Sequence, residues 1–105
     1  MLRIYETALE VIRLLRPVIA EIRRRDPHLA EQLTDASNGI ALTMAEGSYS
    51  RGRNRHALYH RALGSAKESG ACLDVALACG YLESIDPRVR AGLSSVCAVL
   101  YSIVT

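Results

Sequence analysis

The chain has 105 residues, half of them apolar, and a formal net charge of only +2. That length supports one domain with one core, the aliphatic content excludes a disordered tail, and the small net charge excludes a polycation. Phe and Trp are absent, the five aromatics are all Tyr, and Pro is confined to positions 17, 27 and 87, so a packed helical domain over residues 1–105 is expected.

The first helix is expected from Leu2 to Arg25. Tyr5, Ala8, Ile12, Leu15, Ile19 and Ile22 recur with alternating steps of 3 and 4, and Ile4, Val11 and Val18 run beside them. Such a spacing is a coiled-coil-like seam, widened here to a second stripe. Pro17 lies inside the pattern and should kink the helix or remove one backbone hydrogen bond, at about 3 kcal/mol. The seam keeps its phase on both sides, so one helix is expected.

Asp26-Pro27 restarts the chain with an N-cap residue and a first-turn proline. Helix 2 should reach about Glu46, with Leu29, Leu33, Ala36, Ile40 and Met44 on one face. Ala30, Ser37, Ala41 and Ala45 make a small-residue face, and Gly47 is the expected stop. Asn38-Gly39 could signal a hairpin, but its flanks keep a helical period, so it is assigned to the helix interior.

Helix 3 is expected from about Asn54 to Cys79, with Tyr59, Ala62, Ala66, Ser69, Leu73 and Ala76 on its seam and Gly80 as its stop. Asp86-Pro87 repeats the start device. Helix 4 then carries Val89, Leu93, Val96, Leu100 and Ile103, with Cys97, Tyr101 and Val104 as a second stripe. Four helices with short links predict an all-α, antiparallel up-down-up-down four-helix bundle.

That topology gathers Arg23, Arg24, Arg25, His28, Arg88 and Arg90 at one end and Arg3, Arg51, Arg53, Arg55 and His56 at the other. Cations at the end of helix 1 complement its dipole. The Arg51–Arg55 cluster instead precedes a helix, where the dipole disfavours positive charge. No acid occurs from Ser48 to Lys67. Guanidinium pairs with phosphate in bidentate geometry, so Arg51, Arg53, Arg55, His56 and Arg61 are the candidate nucleic-acid-binding residues. The competing reading is a solvated turn that pairs with acids of a neighbouring subunit. Tyr49 is placed to stack on a base, whereas Tyr59 belongs to the seam.

Other chemistry has weak support. His56 and His60 share a helix face, but no Glu-x-x-His pair or second His pair joins them. Glu46 and Glu68 read as partners of an Arg or a helix-end amide, and Ser65, Ser69 and His60 lack an orienting acid. There is no Gly-rich phosphate loop. No cofactor, metal or enzymatic activity is therefore expected. Cys72, Cys79 and Cys97 form no Cys-x-x-Cys and read as small buried hydrophobes in a reducing compartment. The longest apolar run, Val96 to Tyr101, cannot span a bilayer, which takes about 20 residues. Arg3, Glu6 and Glu10 interrupt any signal-peptide pattern, so a cytoplasmic protein without a membrane partner is expected.

The order of Gln32-Leu33, Ala36, Ile40-Ala41, Ala45-Glu46-Gly47, Ser50-Arg51, Ala62, Gly64-Ser65, Glu68 and Gly80-Tyr81-Leu82 resembles the bacterial four helix bundle protein family. That family includes proteins encoded by intervening sequences in 23S ribosomal RNA genes and accessory proteins of diversity-generating retroelements. The chain departs from its pattern at Thr34 and Asp35, where basic residues are common, and at Thr43, where Asn is. The resemblance implies a four-helix bundle that assembles as a ring-like homopentamer. It implies, in the retroelement branch, binding of nucleic acid and of a reverse transcriptase through basic surfaces. The expected role is thus a homo-oligomeric, non-enzymatic accessory protein that binds nucleic acid, above all structured RNA. The alternative is a protein-interaction scaffold that binds no nucleic acid. Apolar stripes in excess of one seam on helices 1 and 4 independently favour association.

Overall fold

The computed structural model describes residues 3–105. They form four helices: α1 (Arg3–Arg23), α2 (Pro27–Tyr49), α3 (Gly52–Ala78) and α4 (Pro87–Val104). The expected start at Leu2 lies outside the described residues. Each helix packs on the next, and α4 closes back onto α1. The result is the expected four-helix bundle, 42 × 23 × 20 Å. No described helix is long and apolar enough to cross a membrane.

On α1 the buried line is Ile4, Ala8, Val11, Leu15 and Ile22. It runs one residue off the expected seam. Ala8, Leu15 and Ile22 belong to both stripes, whereas Tyr5, Ile12 and Ile19 are only half-buried. Ile12 and Ile19 instead line an open groove against Thr34, Ser37 and Asn38 of α2. Sequence spacing allowed either phase, and contact with both α2 and α4 selects the one that α4 also covers. Pro17 stays within a single helix and faces solvent, where water can satisfy the carbonyl freed one turn earlier.

Asp26 caps α2: its carboxylate accepts from the Leu29 N–H at 3.0 Å, and Pro27 takes the first turn. Ser37 of the expected small-residue face borders the groove against α1, and Gly39 and Gly47, which lie off that face, are the α2 positions that approach α3. Asn38-Gly39 is helix interior, and a Cβ on Gly39 would sit 3.2 Å from Ser65 Oγ. The buried Ser37 and Ser69 hydroxyls donate to the Leu33 and Ser65 carbonyls of their own helices, at 2.8 and 2.9 Å, so neither carries an unmet bond into the core.

Two expected stops part company. Gly80 ends α3 as expected: it adopts φ +75°, its N–H bonds Leu77 O and the Tyr81 N–H bonds Ala76 O, a Schellman motif. Gly47 does not end α2. The helix continues to Tyr49, with Ser50 as its cap, and Gly47 is buried against the Tyr59 ring. Its role is close approach between helices. The cysteines also divide. Cys72 is buried and Cys97 half-buried, but Cys79 is exposed at the α3 stop. On α4 the expected face is buried through Leu100, while Ile103 is exposed at the bundle end.

Candidate nucleic-acid interface

The α2–α3 turn reverses the chain in two residues, Ser50 and Arg51. Local chemistry builds it. The Ser48 hydroxyl donates to Ala45 O, the Ser50 hydroxyl to Glu46 O, and the Asn54 amide to Ser50 Oγ. Gly52 takes φ +59°, a left-handed geometry costly to any residue with a Cβ. Arg51 occupies the N-cap position of α3 and its side chain accepts nothing, because guanidinium has no acceptor. The first turn of α3 thus begins without a side-chain cap and amid cations.

The five predicted residues fall into three groups. Arg51, Arg53 and Arg61 are exposed and join none of the ion pairs among the described residues. Arg55 lies over the Tyr59 ring, 5.4 Å from its centroid. His56 donates from Nε2 to the Val104 carbonyl at 2.8 Å, which ties the start of α3 to the end of α4. Tyr49 is 85% exposed, free to stack as expected, and Tyr59 is 1% exposed in the core.

The opposite pole makes a useful contrast. There Tyr81 donates to Asp26 at 3.2 Å and Arg25 lies over the Tyr81 ring, so the α1–α2 and α3–α4 connections meet. Three of the five arginines at this pole find acids: Arg23 with Glu31, Arg88 with Asp86 and Arg90 with Asp74, whereas Arg24 and Arg25 join no ion pair among the described residues. The hydrogen bond from the Arg88 side chain, then that from its backbone N–H, holds the Asp86 carboxyl below the usual carboxylate range. The α2–α3 pole has no such pairing among the described residues. Glu46 and Glu68 were expected to bond inside the bundle, but both are exposed and neither joins an ion pair among the described residues.

Two further basic residues escaped the sequence reading of this surface. His60 and Lys67 follow Arg53 at intervals of seven residues, so the three lie along one exposed face of α3, about 10 Å apart. Heptad spacing was the available signal. Asp74 stands seven residues beyond Lys67, and Arg90 engages it at 2.7 Å. Among the described residues no three His, Cys, Asp or Glu side chains gather as a metal site would require.

No protein-family model matches the sequence, and no curated protein matches it. The fold is similar to the crystal structure of a protein of unknown function from the S23 ribosomal protein family of Bacteroides thetaiotaomicron. The TM-score is 0.82 over 97% of this chain and 98% of that one, at 14% sequence identity. At that identity the likeness establishes a shared helical fold over essentially the whole chain, and the neighbour's own function is unknown.

Proposed function

We propose that the chain is a member of the bacterial four helix bundle protein family and acts, without catalysis, as a homo-oligomeric RNA-binding accessory protein of the cytoplasm. The supporting observation is the unpaired charge at the α2–α3 pole. Arg51, Arg53 and Arg61 face solvent without an acid among the described residues, while three of the five arginines at the other pole, Arg23, Arg88 and Arg90, are paired. Phosphate oxygens supply the missing anions, in a mode that positions a strand without reading its sequence. Tyr49 adds a stacking surface beside them.

Assembly supplies the remaining affinity. Leu42 is 66% exposed and Val75 47%, and Ile12 and Ile19 line an open groove of about 300 Å³. A ring of five chains buries part of this surface and repeats the arginine turn, turning weak phosphate contacts into avidity. A reverse transcriptase or another protein is a further partner on this reading.

The test is fluorescence anisotropy of a labelled RNA hairpin at low and moderate salt, with an R51A/R53A/R61A variant alongside. Wild type should bind with a steep salt dependence. The variant should bind more weakly, its log–log salt slope smaller by about 0.7–0.9 for each phosphate that is no longer neutralised. Light scattering should give about five times the 11.5 kDa of one chain. A chain that binds no hairpin at low salt is instead a protein-interaction scaffold.

A further inference from the structure

We infer that the groove between α3 and α4 seats one unpaired nucleotide of the bound RNA strand, an inference that rests on the RNA reading above. The groove encloses about 470 Å³, within the range of small-ligand sites. Its floor is apolar, formed by Ala57 and Leu63 of α3 and Val104 of α4. Tyr101 lines it as well, 58% exposed. His60 and Lys67 line it too, and none of its lining side chains is acidic.

This combination selects the occupant. An aliphatic chain would suit the floor but leave the imidazole and ammonium unmatched. A bare phosphate would suit Lys67 and the imidazole N–H but leave Tyr101 and the floor unused. A nucleotide satisfies both, because a planar base stacks on Tyr101 and the His60 ring while its phosphates meet Lys67 and Arg53. The groove is continuous with the phosphate path, since Arg53, His60 and Lys67 share one face of α3 at seven-residue intervals.

Two features keep the seat open. The bond from His56 Nε2 to Val104 O, 2.8 Å, locks the helix ends that form its wall. Gly64 lies between His60 and Lys67 on the same face, and a Cβ there would meet nothing within 4 Å. Glycine inside a helix costs about 1 kcal/mol relative to Ala, and no packing within the chain requires it here. The bare backbone leaves room for a sugar or base to approach.

The experiment uses the full chain and a single-stranded RNA carrying one 2-aminopurine, a blunt RNA duplex of equal phosphate number, and AMP. Binding of the single strand should quench 2-aminopurine. The variants Y101A and H60A should each lose the quench and weaken single-strand binding roughly tenfold, with duplex binding unchanged in Y101A. Y101F should retain both. Circular dichroism confirms that each variant is folded, as expected for exposed positions. Unchanged quench and affinity in Y101A and H60A, with R51A/R61A losing affinity, would overturn the base seat and leave the RNA reading standing. Failure of wild type to bind either RNA would overturn both. Tyr101-dependent binding of AMP without binding of the single strand would make the ligand a free nucleotide and overturn the strand-bound form.

Discussion

Gly47 and Tyr59 make a close approach between α2 and α3 at the arginine pole: a Cβ on Gly47 would lie 2.8 Å from Tyr59 Cε1 and 3.0 Å from Cδ1. The ring is 1% exposed and has Arg55 over it, so it has little room to yield. The glycine is therefore a packing requirement, and it fixes how near the α2–α3 turn sits to the core.

Gly47→Ala should consequently destabilise the fold. Overpacking a filled core costs about 1–3 kcal/mol, against about 1 kcal/mol gained from helix propensity. Gly64→Ala, which meets nothing within 4 Å, should raise stability by up to about 1 kcal/mol. Urea denaturation of the two variants checks the pair. Equal effects of one sign would show that backbone propensity, not the Tyr59 contact, governs position 47.

Tyr59 offers a second test. Its hydroxyl is buried with no hydrogen-bond partner among the described residues, and an unmet buried hydroxyl costs about 1–3 kcal/mol. Tyr59→Phe keeps the ring against Gly47 and removes that oxygen. The variant should melt at a higher temperature than wild type by differential scanning calorimetry.

Gly92 and Val11 form a comparable contact between α4 and α1, where a Cβ on Gly92 would collide with Val11 Cγ2. Val11 is buried and β-branched, with little rotamer freedom. Gly92→Ala and Val11→Ala should each destabilise, the second by opening a cavity. Together they should cost less than their sum by about 1 kcal/mol, the coupling typical of touching residues. A double-mutant cycle from urea melts measures it, and strict additivity would mean the helices separate freely at this point.

The acid limb of stability should carry the signature of Asp86. Arg88 holds its carboxyl below the usual range, so the unfolded chain takes up this proton more readily than the native one. A lowered native pKa contributes stability that is present above the ordinary carboxylate range and lost as pH falls through the native value. Melting temperature should fall on acidification below about pH 4, and less steeply in Asp86→Ala, which also loses the N-cap of α4. Melts followed by circular dichroism from pH 6 to pH 2 check this.

The cysteines should react in a fixed order. Cys79 is exposed at the α3 stop. Burial pushes the Cys97 thiol up, partly offset by Lys67, and pushes Cys72 up with a further contribution from Glu68. Thiolate is the reactive form. A disulfide reagent at pH 8 should therefore modify Cys79 first, with Cys72 and Cys97 slower until the fold is denatured. Cys79→Ser should remove the fast phase.

Much of the fold was legible in the chain because it depends on local rules. Asp26-Pro27 and Asp86-Pro87 start helices wherever an acceptor precedes a fixed φ, and Gly80 stops one because the next turn needs a left-handed residue. The α3 seam from Tyr59 to Ala76 was legible because it has one apolar phase. The α1 seam was shifted by one residue because two apolar stripes lie side by side there, and spacing cannot say which of them two neighbours will cover.

The candidate interface was legible only in its charge. Sequence places Arg51 to Arg61 in an acid-free stretch beside a turn, and that stretch alone identifies the basic pole. Only the folded chain decides that Arg55 covers Tyr59, that His56 holds Val104, and that Arg51, Arg53 and Arg61 are left without partners among the described residues. The same holds for Gly47, whose sequence suggests a stop and whose structure makes it a contact. Helix starts, stops and periods follow from interactions within a few residues. Pairing and close approach depend on side chains such as those of positions 56 and 104, brought together from distant parts of the sequence by the packing of the bundle.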